Sequence, residues 1–399
     1  MTGVDLPMPG AAGLRRLPGH PAAYFGSGAA DRLGGLLTEF GARRVLLVHG
    51  RSYDTSGAAR VVAAWHGSLE VHHFGDVRPN PGISQVEEAV ELVRTVRPDA
   101  VIGLGGGSSM DVAKAASVLA AQQDVPTDCL SRPGLVDRPR FGLLVLVPTT
   151  AGSGSELTRF ATLYHEGRKL SLDTPLARAD IVLVDPVLSS TVPLPVLIAG
   201  ALDALCQAVE SIWSLAGTEQ SRHWAGEALK ALLPALGHLA DGGSHTAPEI
   251  RYSLALGASL AGAAIDISRT TAAHALSYAL TSRLGLPHGV AVALHLRWLL
   301  GRHSAAAAAE CPPPGAATLR RRVARIRRTV RELTGREPEE LIEMLLKSGG
   351  HPTDLSALAL TAADWIVPVT EALSSARALN NPCVLAPHDV LRRLQVHAD

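Results

Sequence analysis

Cysteine is too scarce and too scattered to cross-link this chain. Cys129, Cys206, Cys311 and Cys383 are the four present in 399 residues, and none forms a CxxC pair. That spacing disfavours both a disulfide framework and a thiolate zinc site. No charge of one sign dominates. The 37 basic and 37 acidic side chains cancel, and no basic stripe or tail offers a footprint for nucleic acid or a membrane surface. No apolar run approaches the ~20 uncharged residues of a membrane span. The opening MTGVDLPMPGAAGLRRLPG lacks the apolar centre of a signal peptide. Aromatic residues reach only 4%, while Ala, Leu, Gly and Val are abundant, which suits a closely packed α/β or helical enzyme. The expectation is a cytoplasmic enzyme with no nucleic-acid and no membrane partner, long enough for two domains.

Residues 1–20 read as a loose arm or short edge strand, and AADRLGGLLTEFG as a helix ending at Gly41. RRVLLVHG (43–50), LEVHHFG (69–75), DAVIGLG (99–105) and FGLLVLVPTT (141–150) read as strands. A continuous β-type apolar run closed by glycine, as in the first, is expected of a buried parallel strand. Between them, ISQVEEAVELVRTV (83–96) has apolar residues at helical spacing. TRFATLYHEGRKLSLD (158–173) reads as a hairpin, and DIVLVDP (180–186) closes the β-rich half. After Pro193, Ala/Leu-rich helical patterns run almost to the end, which sets a boundary near 190: an α/β domain over 1–190 and an all-helical domain over 191–399. The stretch SAAAAAECPPPG (304–315) is an expected exposed excursion, because consecutive prolines cannot continue a helix. RRRVARIRRTVREL (320–333) predicts a helix with a solvated basic face over a packed apolar stripe.

Two groups of residues carry chemistry. In GLGGGSSMDVAK, Gly105, Gly106 and Gly107 let backbone amides approach phosphate oxygens, and the helix expected from about Met110 points its positive end at them. Ser108, Asp111 and Lys114 extend this candidate nucleotide loop, which is neither the usual GxGxxG nor a Walker A sequence. A second loop, PTTAGSGSE (148–156), follows the next strand. Its Thr149, Thr150 and Ser153 can donate to phosphate or ribose, and Gly152 and Gly154 keep it open. The other group lies downstream. Asp203 and Gln207 share a helix face four residues apart, and His274 and His288 lie fourteen apart. Together they offer three good divalent-metal donors and an amide oxygen. A buried amide capping neighbouring backbone is the alternative for Gln207, apolar packing is expected of Cys206, and His223 and His295 receive no role.

Taken with DPVLSSTVP, AHALSYAL and PHGVAVAL, these motifs resemble the iron-containing (group III) alcohol dehydrogenases over almost the whole chain. The resemblance implies the architecture shared with dehydroquinate synthase: a Rossmann-like N-terminal domain, a helical C-terminal domain, and a divalent metal with NAD(P) in the cleft between. The family's ligands are normally one Asp and three His. Asp203, His274 and His288 fall on three of those positions, and Gln207 stands where the third His is normal. An amide oxygen is a harder, weaker donor, which shifts preference toward Fe(II), with Zn(II) or Mn(II) as alternatives. Tyr278 stands where the family often has a further His near the nicotinamide.

The stretches LDALCQAVESIWS, TEQSRHWA, RKLSLD and ISRTTAAHALSYAL are similar to the family branch that reduces phosphonoacetaldehyde to 2-hydroxyethylphosphonate. Such a substrate needs cations; Arg269 is the first expectation, then Arg159 and Lys169 on the hairpin, with Lys169 also at the nucleotide. An anionic pocket would also admit sulfoacetaldehyde or succinic semialdehyde. At the end of the first strand, Gly50 clears space while Arg51 and Ser52 could pair with a 2′-phosphate, so NADPH is favoured over NADH. Many members of the family are dimers, so a homodimer is one expectation. Two other readings of the same residues are a lyase like dehydroquinate synthase, whose basic pattern is not found here, and a nucleotide binder that lost its metal through Gln207.

Overall fold

In the computed structural model the residues described are 13–65, 67–166, 168–358 and 362–394. Residues 1–12 of the expected N-terminal arm, and Gly167 of the expected hairpin turn, lie outside them. The chain divides into two compact units, Met1–Val192 and Pro193–Asp399.

The first unit is built on a seven-stranded sheet. Its strands are β1 (Arg15–Arg16), β2 (Ala23–Phe25), β3 (Arg44–Gly50), β4 (Glu70–Val77), β5 (Ala100–Gly105), β6 (Leu143–Pro148) and β9 (Ile181–Val184); β7 (Phe160–His165) and β8 (Arg168–Asp173) form a separate antiparallel hairpin. The sheet order is β1-β2-β9-β6-β5-β3-β4, parallel throughout except for the β1–β2 pair. The helices are α1 (Leu33–Glu39), α2 (Ala58–Ala63), α3 (Ile83–Val96), α4 (Gly107–Leu119) and α5 (Pro126–Ser131). Alternate residues of the central strands feed one core: Val45, Leu47, Ile102, Leu104, Val145 and Val147 pack with Leu33 and Leu37 of α1 and Val61 of α2. Each such side chain, fully withdrawn from water, contributes roughly 1.5–3 kcal/mol. α3 buries Ile83, Val86, Val90 and Val93, the stripe its sequence spacing predicts.

Two features differ from the sequence expectation. The strand β2 was not expected; its three residues are too few to show a period, and they are buried because β2 pairs in parallel with β9. The helix after the glycines begins at Gly107 rather than near Met110. Glycine disfavours helix interiors, yet Gly107, Ser108 and Ser109 form only the first turn, where backbone N–H groups have no intrahelical partner anyway.

The second unit contains no strand among its described residues. Its helices are α6 (Leu194–Trp213), α7 (Glu219–Ala240), α8 (Pro248–Ser268), α9 (Ala272–Leu284), α10 (His288–Ser304), α11 (Ala316–Thr334), α12 (Pro338–Ser348), α13 (Ala362–Leu373), α14 (Ala376–Leu379) and α15 (Pro387–Arg393). α6 packs against α7, α8 and α10 and is buried without a break from Ala201 to Trp213. By length and composition α6 and α8 could cross a membrane, but 89% and 83% of their most apolar windows are buried within the fold, as core helices are. α11 buries Leu319, Val323, Ile326 and Val330; Arg327 and Arg331 pair with Glu337, while Arg322 donates to the Trp213 carbonyl at 3.3 Å. The 304–315 stretch is largely exposed, interrupted by one short turn at Ala308–Glu310.

Candidate metal centre and nucleotide loops

The face of α6 that looks into its unit presents polar groups at helical spacing: Asp203, Gln207 and Glu210, all buried. Across from it, the N-terminal turns of α9 and α10 bring in His274 and His288. Ligand atoms of Asp203, His274 and His288 all lie within 4.8 Å of one another. His274 Nε2 is 3.2 Å from Asp203 Oδ1, and the two imidazole rings meet edge-on with centroids 5.4 Å apart. Gln207 hydrogen-bonds the Asp203 carboxylate. Burial pushes the Asp203 carboxyl up; the hydrogen bonds from His274 and Gln207 and the charges of both histidines outweigh it and hold the group below its usual range. Asp203 is therefore an anion at neutral pH.

His274 is gripped from its other side as well. Its Nδ1 hydrogen-bonds Glu210 Oε2, while Glu210 Oε1 accepts from Thr271 Oγ1 at 2.6 Å and from the Ala273 amide at 2.8 Å. Glu210 lies within the stretch LDALCQAVESIWS but is given no role by the sequence alone. Its signal was available: it stands seven residues after Asp203, two turns along the same face. Tyr278 stacks on His288, its ring 7° from parallel at 5.9 Å. Cys206 is fully buried, and burial pushes its thiol well above the usual range. It packs as a small apolar residue, as expected. His295 is also a core residue, whereas His223 is exposed.

Gly289, directly after His288, lets α10 begin against α6. A Cβ there would lie 1.9 Å from the Ala199 carbonyl oxygen and 2.9 Å from Asp203 Cβ. Gly289→Ala is therefore expected to destabilise the chain by about 1–3 kcal/mol and to displace Asp203. Thermal melting and metal content of the purified variant check this; a variant as stable and as metal-rich as the parent would rule the close approach out.

In the first unit, the two glycine-bearing loops leave adjacent strands. β5 and β6 pair in parallel, Gly105 opposite Pro148, and the Thr149 amide donates to the Gly105 carbonyl at 2.9 Å. A Cβ on Gly106 would lie 3.3 Å from Thr150 Oγ1, and one on Gly107 only 2.7 Å from Ser153 Oγ. The absence of side chains at Gly106 and Gly107 is what lets the loops touch. Lys114 and Asp111 lock the pair. The fully buried Lys114 ammonium donates to Ser155 Oγ at 2.8 Å, to Thr158 Oγ1 at 3.0 Å and to the Phe160 carbonyl at 3.0 Å. The Asp111 carboxylate accepts from Ser155 Oγ at 2.7 Å and from the Thr162 amide at 2.9 Å. Asp111 thus serves the framework of the loops rather than standing open at their mouth. The Thr149 hydroxyl is buried and has no hydrogen-bond partner among the described residues.

Of the remaining expected residues, Gly50 ends β3, its Cα side 3.1 Å (for an added Cβ) from the Val77 carbonyl. Arg51 is exposed and paired with Asp76 of β4 at 2.8 Å; Ser52 follows in the exposed turn. Arg159 lies 3.3 Å from Asp173 across the base of the hairpin. Burial pushes the Asp111 carboxyl above its usual range, opposed by the charge of Lys114, its hydrogen bonds from Ser155 and Thr162, and the charge of Lys169 on β8. Arg269 caps α8 with φ 58° and ψ 176°, a backbone conformation that only glycine adopts without strain. The strained link is clamped. Asn380 Nδ2 donates to the Ser268 and Thr270 carbonyls, and Arg377 to Thr270 Oγ1 at 2.7 Å.

A doubly wound α/β unit followed by a helical unit with a convergent Asp–His–His cluster is the architecture of a dehydrogenase class. A profile of the iron-containing alcohol dehydrogenases matches residues 21–186, and one of the family's C-terminal region matches residues 197–396. The chain belongs to the iron-containing alcohol dehydrogenase family and is an oxidoreductase. It is 38% identical over 253 residues to a phosphonoacetaldehyde reductase of Streptomyces viridochromogenes, a match spanning 61% of this chain and 62%, under two thirds, of that relative. It is 33% identical to a long-chain-alcohol dehydrogenase of Geobacillus thermodenitrificans over 72% of this chain and 73% of the relative. Among solved structures, an iron-containing alcohol dehydrogenase of Thermotoga maritima superimposes with a TM-score of 0.79 at 26% identity, covering 96% of this chain and all of its own. A sulfoacetaldehyde reductase of Bifidobacterium kashiwanohense with NAD+ superimposes at 0.80 and 24% identity over 96% of this chain and 97% of that one, which speaks for the fold.

Proposed function

We propose that this chain is a metal-dependent, NAD(P)H-linked reductase of a small anionic aldehyde, with phosphonoacetaldehyde the favoured substrate. The observation that carries the reading is the convergence of the buried Asp203 and His274 with the half-buried His288, one anion and two imidazoles with ligand atoms within 4.8 Å. That donor set fits a divalent transition ion, and Gln207 beside Asp203 is the proposed fourth donor. An ion held there would supply Lewis-acid polarisation of a carbonyl oxygen, and a nicotinamide nucleotide would supply the hydride.

The chain's own residues do the rest. Asp203 brings the negative charge that holds a cation, and burial keeps water from weakening that attraction. Tyr278, stacked on His288, is placed to bond a substrate or product oxygen or to pass a proton from its phenol. Gly105–Gly107, Ser108, Thr149, Thr150 and Ser153 are the proposed nucleotide contacts, and the partnerless Thr149 hydroxyl suits one of them. Arg269 is the proposed anion clamp. Its strained backbone is held by three hydrogen bonds that Asn380 and Arg377 make to the residues on either side, as residues aimed at a ligand often are. Arg51 and Ser52 favour NADPH, with the qualification that Asp76 already holds Arg51, so a 2′-phosphate would share that guanidinium.

Two experiments test this. The first follows NADPH and NADH oxidation with phosphonoacetaldehyde, sulfoacetaldehyde, succinic semialdehyde and neutral aldehydes, with Fe(II), Zn(II) and Mn(II) in parallel. Preference for neutral aldehydes removes the anionic substrate and leaves the family standing. The second is Gln207→His, which is expected to tighten metal binding without raising the rate, because a stronger donor makes the ion a weaker Lewis acid. Unchanged metal affinity would show that Gln207 is not a ligand.

A further inference from the structure

We propose that Trp213, Thr271 and Glu210 form a positioning relay that fixes the ring of His274, so that Nε2 faces Asp203 and His288. The inference rests on the reading above, that these three side chains hold a metal. Its direction follows from donor chemistry. The Trp213 indole N–H can only donate, and it lies 3.0 Å from Thr271 Oγ1. The Thr271 hydroxyl, accepting there, sends its own proton to Glu210 Oε1 at 2.6 Å. Glu210 also accepts the Ala273 amide at 2.8 Å, one of the N-terminal N–H groups of α9 that the helix itself cannot satisfy. Its second oxygen is left for His274 Nδ1.

Trp213, Glu210 and Thr271 are each 0% exposed, so no water competes for these bonds. Asp203, Glu210 and Trp213 follow one another along α6 at spacings of seven and three residues, on one face. One helix thus supplies a proposed ligand, the carboxylate that orients a second proposed ligand, and the indole that orients the orienting hydroxyl. Ring orientation by a carboxylate behind a ligating histidine typically governs metal affinity by about 10–100-fold.

The test uses the full chain and zinc ion, with affinity measured by competition against a chromogenic chelator, and the visible spectrum of the Co(II)-loaded protein as a second readout. Glu210→Gln and Thr271→Val are expected to weaken zinc binding, the former by about 10–100-fold, and to alter the Co(II) bands. Thr271→Ser keeps the hydroxyl and is expected to restore both. A role in stability alone would shift melting of the metal-free protein without this rescue pattern. If Glu210→Gln does not fold, the Val and Ser substitutions at position 271 decide. Folded Thr271→Val with parental affinity and an unchanged Co(II) spectrum overturns the relay. A parent chain that takes up neither ion overturns the metal reading beneath it.

Discussion

Replacing Asp203 by Asn is expected to lower kcat/KM for aldehyde reduction by about 10²–10³-fold, the usual cost of removing one electrostatic contact to a developing oxyanion, and to yield protein that loses its metal on purification. Asn fills the same space, so the fold is expected to survive; what disappears is the only anion among the three convergent donors. Asp203 is 7% exposed and sits between His274 and Gln207, so neither water nor a neighbouring carboxylate stands ready to replace it. Glu210 is committed to His274, Thr271 and Ala273. Metal analysis after gel filtration and steady-state kinetics check both parts. Normal turnover in this variant would show that the cluster is not the catalytic centre.

Acid is expected to destabilise the protein steeply between pH 6.5 and about 3. His295 and His303 are 2% and 0% exposed, and burial pulls both rings down to about 3, despite the charge of Glu210 acting the other way. Arg302 adds to the depression of His303. Hydrogen bonding agrees: Trp298 Nε1 donates to His295 Nδ1 at 3.3 Å, and Asn381 Nδ2 lies 3.2 Å from His303 Nε2, so each ring spends a lone pair as an acceptor. The sign follows from linkage. Unfolded, both rings take up protons below about 6.5; folded, they do not until about 3, so the unfolded state binds more protons across that window and stability falls with pH. Each ring costs about 1.4 kcal/mol per pH unit well inside the window, or about 4 kcal/mol for the pair between pH 7 and 5. Urea denaturation at the two pH values measures it. His303→Gln should flatten the pH dependence by about half, whatever it does to stability at pH 7. A slope that does not change would mean that His303 titrates normally in the folded chain.

Much of the fold was legible because its strands are unusually plain. The VLLV centre of RVLLVHG, AVIGLG and LLVLVP are continuous apolar runs, as strands covered on both faces must be, and ISQVEEAVELVRTV carries a clean helical stripe. β2 was not legible, since three residues hold no period and their burial comes from a neighbour, β9, more than 150 residues away. The start of α4 was hidden because glycine and serine read as loop in sequence but are tolerated in a first turn. At the candidate site, Asp203, His274 and His288 were found because donor chemistry and family spacing coincide there. Glu210 was missed because its place on the Asp203 face marks it only as a neighbour of the site, and its partners appear when α9 is seen to begin against it. Asp111 was read by its place in a glycine-rich motif, whereas packing turns its carboxylate to Ser155 and Thr162. Motif position names the neighbourhood of a side chain; which way it points is decided by tertiary contacts that sequence spacing does not contain.

The most direct test is anomalous diffraction from crystals of the full chain grown with Fe(II) or Zn(II), recorded on either side of the metal's absorption edge. The expected result is one strong peak within bonding distance of Asp203, His274 and His288, with Gln207 beside it. A peak elsewhere, or none at these side chains in a protein that still reduces aldehydes, would contradict a metal centre at this place.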